Sequence, residues 1–121
     1  MIAGFDVEAA RLTTNVAGIQ GSHAVYRNTT TGQSFVVGEL RGELVAAQLA
    51  NPAEHGYQLL KGSDIMGAQI YVKTYGDPTT QDWASVEIAW PISDDEALLV
   101  NGQHMTVDEL VSIGRQLTVR K

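Results

Sequence analysis

The side chains that do most protein chemistry are sparse in this chain and do not fall at the spacings their chemistry needs. The three histidines, His23, His55 and His104, stand far apart and share no i, i+4 ligand spacing, so they read as surface imidazoles. Asp94-Asp95-Glu96 is the one acidic cluster and offers the oxygens a hard cation takes. It lacks the alternating ligands and central glycine of an EF-hand and reads as a solvated turn. Ser22-His23 and Ser34 have no assignable partner, and there is no Gly-x-Ser-x-Gly elbow. Gly18-Ile19-Gln20-Gly21 is not followed by Lys-Ser/Thr and is no phosphate loop. The chain has no cysteine, which excludes disulfides, thiolate metal sites and cysteine nucleophiles. The residues nominate no catalytic group, no cofactor site and no metal site. The expectation is a non-enzymatic protein. An enzyme built on a small α+β cup, with His23 or His104 near Asp94, Asp95 and Glu96, is the lesser reading.

The aromatic residues carry more information. Residues 68–75 alternate, with Ile70 and Val72 on one face and Tyr71, Lys73 and Tyr75 on the other. Residues 83–90 alternate too, placing Ala84, Val86, Ile88 and Trp90 inward and Ser85 and Glu87 outward. Tyr71, Tyr75, Trp83 and Glu87 therefore form a candidate contact surface, unless loops or the N-terminal segment cover it. Asn28-Thr29-Thr30 also matches a glycosylation sequon, which matters only in a eukaryotic secretory chain.

These groups need a scaffold, and the pattern supplies one. Residues 23–27 and 34–38 are β-rich runs joined by a polar connector ending in Gly32-Gln33, a hairpin signal. Strands are further expected over 56–62, 68–75, 83–90 and 97–100. Asp6 can cap a short helix over 7–13, and Gly18 and Gly21 mark turns. Residues 41–50 favour a helix that Asn51-Pro52 stops, because the residue before proline avoids the helical region. Thr106-Val107-Asp108-Glu109 is a capping box opening a helix with a Leu110, Ile113, Gly114, Leu117 stripe, and Met105 is placed to staple onto Leu110. Gly114 costs about 1 kcal/mol of helix propensity against alanine. Strands in runs with segregated helices give an α+β fold. The expected architecture is an antiparallel sheet of five or six strands, a C-terminal helix packed on one face and one further short helix.

With 121 residues the chain is a single domain, 1–121. Hydrophobic residues at 44% and charged residues at 18% describe an ordinary globular core. Eight basic residues are scattered among fourteen acidic ones, for a net charge of −6. That balance provides no stripe that tracks phosphates and no attraction to an anionic membrane, so nucleic acid is not an expected partner. No apolar run approaches the ~20 residues that span a bilayer. Residues 1–6 lack the basic and apolar regions of a signal peptide. The expectation is either a cytoplasmic chain or one domain of a longer anchored protein.

From Gly56 onward the chain resembles the extracytoplasmic regions of actinobacterial membrane-anchored proteins of the anti-sigma-factor-like and small-lipoprotein type. The resemblance lies in the strand Gly56-Tyr57-Gln58-Leu59-Leu60-Lys61-Gly62, the hairpin over 67–90, and Leu99-Val100-Asn101-Gly102 running into the helix from Met105 to Leu117. It implies a sensory or binding role outside the membrane, toward a protein or envelope ligand, with the signal passed to a partner domain. The alternative is a small cytoplasmic protein-interaction factor of immunity or antitoxin type, which the acidic charge and small size also suit.

Overall fold

The computed structural model describes the backbone of residues 6–16, 19–28, 30–77 and 79–119, and side chains from residue 24 to 116 except 29, 44 and 78. Seven strands form one antiparallel sheet: β1 Asp6–Val16, β2 Ile19–Arg27, β3 Ser34–Arg41, β4 Gln58–Ile65, β5 Ala68–Tyr75, β6 Ser85–Pro91 and β7 Glu96–Gln103. Their spatial order is β1-β2-β3-β7-β6-β5-β4. Two meanders, β1 to β3 and β4 to β7, therefore meet where β3 pairs with β7. The link between them is a crossover made of α1 Glu43–Ala50 and a 3-10 turn, Pro52–His55. The closing helix, α2, is Val107–Val119. The fold is α+β, as the residue pattern implies.

The strands β2, β3, β5 and β7 coincide with the expected runs or extend them, while β4 and β6 begin two residues later than expected, which leaves Trp83 before the strand. The seventh, β1, occupies the residues expected as a short helix over 7–13. A run of that length nucleates poorly as helix. Here it instead finds a ready ladder, pairing with β2 from Asp6↔Arg27 to Val16↔Ile19. Gly21 likewise lies inside β2 rather than in a turn, and Gly18 falls outside the described residues. The β1 ladder is broken twice, between Val7 and Ala9 and between Ala9 and Leu12. At the opposite margin, β4 slips against β5 between Leu59 and Asp64, around Gly62 at φ 82°.

One face of the sheet carries the main core. Ile70, Ile88, Trp90, Leu98 and Val100 from the strands meet Leu110, Val111 and Ile113 of α2, all buried. Leu110 and Ile113 thus dock as the amphipathic stripe requires, while the side chain of Leu117 is outside the described residues. Two glycines set how closely α2 approaches. A Cβ on Gly114 would lie 2.8 Å from Ile65 Cδ1 and 3.0 Å from Trp90 Cη2. A Cβ on Gly102 would lie 2.8 Å from Leu110 Cδ2. Gly114, which local propensity disfavours, is thus the seat of the indole of Trp90.

The helix start is locked as its sequence specifies. Glu109 Oε1 accepts from the Thr106 amide at 3.0 Å, and Thr106 Oγ1 accepts from the Glu109 amide at 3.2 Å. Gln33, from the β2–β3 hairpin, donates to Glu109 Oε2 and to the His104 carbonyl, both at 3.1 Å. The hairpin thereby ties the first meander to the start of α2. Its own turn is held by Asn28 Oδ1, which accepts from the amides of Thr30 and Thr31.

Candidate functional site

The face opposite α2 is where the sequence places Tyr71, Lys73, Tyr75 and Glu87, and the structure brings these together. Lys73, Glu87 and Asn101 form one row across β5, β6 and β7. Tyr57, at the entry to β4, comes down on this row from the crossover. Its hydroxyl donates to Glu87 Oε2, and Asn101 Nδ2 donates to Glu87 Oε1 at 3.4 Å. The Lys73 ammonium sits over the rings of Tyr75 and Tyr57, 5.0 and 5.4 Å from their centroids. Burial, and then the Glu87 carboxylate beside it, push the Tyr57 phenol well above its ordinary value. It is a proton donor throughout the physiological range.

This arrangement corrects the outward reading of Glu87. Its side chain is 6% exposed, and among the described residues it is the one buried charged group. Strand alternation assigns it to the face opposite Ile88 correctly. Among the described residues, what covers that face is the crossover of α1 and the 3-10 turn. Val45 of α1 is buried against the strands. Tyr71 lines the seam beneath α1 together with Val45, Leu49, Pro52, Ala89 and Leu99. The seam encloses about 40 Å³, room for water only. Organic ligands occupy clefts of roughly 300–1,000 Å³. Tyr71 and Tyr75 are half-buried and Glu87 is buried, so of the four candidate contact residues Trp83 alone is exposed.

Trp83 is different. It precedes β6 and is 58% exposed, yet its ring is seated: a Cβ on Gly76 would lie 2.7 Å from Trp83 Cζ3. Gly76 also holds φ at 74°, so its left-handed backbone and the contact both require glycine. The loop between β5 and β6 is braced from within. Gln81 Oε1 accepts from the Asp77 amide at 2.7 Å. Asp77 Oδ1 accepts from the Thr79 hydroxyl and amide at 2.6 and 2.9 Å, and the carboxyl is held below its ordinary value, first by the hydroxyl.

Beside Trp83 lies a cleft of about 270 Å³ between this loop and the β7–α2 turn. Val86, Gly102 and Met105 form its apolar floor, and Thr74, Gln81, Ser85, His104 and Thr106 line it with polar groups. His104 is exposed and adopts φ 59°, a left-handed position that histidine tolerates better than most residues. Thr74 and Gln81 are not legible as candidates in the sequence, and His104 is legible only in company with the acidic cluster, because the three converge from separate segments. The exposed tryptophan after a Gly76-Asp77-Pro78 turn was the signal available.

The remaining candidates do not converge. Asp94 and Asp95 are exposed in the β6–β7 turn, where Ser93 Oγ donates to Asp95 and Glu96. They lie at the opposite end of β7 from His104. His23 pairs with Gly38 within the sheet, and its side chain is outside the described residues. His55 ends the 3-10 turn. Among the described residues no group of three or more histidines and carboxylates is gathered as a metal ion would require. No described helix is long and apolar enough to cross a membrane. In comparisons with known proteins the chain matches no family model, no curated sequence and no solved structure.

Proposed function

We propose that this chain is a non-enzymatic binding domain that recognises a protein or envelope ligand through the sheet end around Trp83. The observation that carries the reading is a large aromatic ring left more than half in water while its backbone seat is fixed by Gly76 and the braced loop. Rigid aromatic side chains give large contact area at little entropic cost, which is why they dominate recognition surfaces. The extracytoplasmic setting rests on the resemblance of the closing segment alone. The internal Tyr57–Glu87 cluster is read as structural: it pins the crossover to the sheet.

The two tryptophans make the test direct. Trp90 is buried and Trp83 is not, so acrylamide quenching separates their fluorescence. Envelope fractions that bind the chain should protect the quenchable component and raise Tm. Trp83→Ala should abolish both effects while leaving the unbound Tm within about 3 °C, since surface changes stay within ±0.5 kcal/mol. Equal binding by the variant, or binding to cytosolic but not envelope fractions, defeats the proposal in its site or in its setting respectively.

A further inference from the structure

The lining of the Trp83 cleft identifies a chemical class of ligand. Its polar groups are three hydroxyls, an amide and an imidazole, from Thr74, Ser85, Thr106, Gln81 and His104, and no lysine or arginine lines it. Acidic residues flank its lining along the chain: Asp77 and Asp82 in the loop between β5 and β6, and Asp108 and Glu109 in the first turn of α2. Flanking carboxylates and the lack of a lining cation disfavour an anion, even though a helix begins nearby. The floor is apolar, and the indole of Trp83 stands at the rim against Gly76, which itself lines the cleft. Uncharged hydrogen-bonding groups around an apolar floor, with one flat aromatic face alongside, complement a molecule that carries hydroxyls on its edges and C–H groups on its faces.

We infer that this cleft binds a neutral oligosaccharide, one sugar ring seated between the β5–β6 loop and the β7–α2 turn and the next ring laid on Trp83. The inference rests on the proposed function, because it takes the Trp83 end as the recognition surface. Two rings are specified because Trp83 borders the cleft without lining it. A cleft of about 270 Å³ lies just below the ~300 Å³ at which small-molecule sites begin, which suits one ring and excludes a larger rigid ligand.

The test is amide and indole chemical-shift mapping of the whole chain with cellobiose, maltose and N,N′-diacetylchitobiose, each beside its monosaccharide. At least one disaccharide should shift Gly76, Gln81 and the Trp83 indole, while the Trp90 indole stays in place. Its affinity should exceed that of the monosaccharide about tenfold, and Trp83→Ala should remove that margin. Thr74→Val, which keeps the shape of an exposed side chain and deletes its hydroxyl, should weaken binding without altering Tm. If no saccharide shifts these residues but envelope binding still depends on Trp83, the ligand class is wrong and the recognition surface stands. If neither occurs, both fall. Shifts at the same residues with a lysine-rich peptide, and none with sugars, would make the flanking carboxylates the recognition element and overturn the saccharide assignment.

Discussion

Glu87 shows how much one buried carboxylate constrains its neighbours. It is sealed under the crossover, and its oxygens are met by Tyr57 and Asn101. Removing one partner leaves the other unpaired in a poorly solvated place, which is costlier than removing both. Tyr57→Phe should therefore lower unfolding free energy by about 1–3 kcal/mol in urea titrations. Glu87→Gln with Tyr57→Phe should cost clearly less than the sum of the two single changes. Additive losses would mean that the pair is not a unit. Gly114 supplies a second residue-level outcome. Alanine is the better helix former by about 1 kcal/mol, yet its methyl would press on Ile65 and Trp90, and overpacking costs roughly 1–3 kcal/mol. Gly114→Ala should lower Tm, whereas propensity alone predicts a rise. Neither residue's role is legible locally. Alternation places Glu87 on the correct face, but only the path of a distant crossover decides that the face is covered. The cost of Gly114 is visible in the helix, and its cause lies on two strands.

The elements divide by how local their code is. The start of α2 was legible because its signals lie within a dozen residues: the capping box is in place, and Leu110, Ile113 and Gly114 of the stripe are buried. The Thr106 amide, and then Gln33, hold the Glu109 carboxyl below its ordinary value of 4.5. A depressed carboxylate adds stability above its unfolded-state value and loses it as pH falls through the folded one. Wild type should therefore exceed Glu109→Gln at neutral pH by less than about 1 kcal/mol, since the group is exposed and screened. That margin should shrink in denaturation curves as the pH is lowered past the ordinary value of 4.5 and through the depressed folded-state one. The hairpins β2–β3 and β5–β6 were legible for the same reason, through period-two alternation and turn residues. The first strand was not. Residues 7–13 carry a weak helix signal, and the partner that overrides it, β2, lies beyond a turn. The Trp83 cleft was half legible: the exposed ring shows in the sequence, while Thr74, Gln81 and His104 meet only once the loop and the helix turn are in place.

At the scale of the molecule, the order β1-β2-β3-β7-β6-β5-β4 puts the junction of the two meanders in the middle. The centre, β3, β7 and β6, is paired on both sides and lies between α2 and the crossover, so its amides should exchange hydrogen slowest, near the global unfolding limit. Residues 60–63 of β4, where the ladder to β5 is interrupted, should exchange orders of magnitude faster. Uniform protection across β4 would mean that the slip is not a feature of the folded chain. The same slip has a second consequence, for what happens when many molecules crowd together. A sheet grows into fibres when its outermost strand is straight enough to template another. Here the kink around Gly62 at one rim and the two broken steps of β1 at the other deny any incoming chain a continuous row of donors and acceptors. Deleting Lys61, Gly62 and Ser63 would straighten β4 against β5, and the cost would be paid in dye-binding aggregates long before it registered in the melting curve.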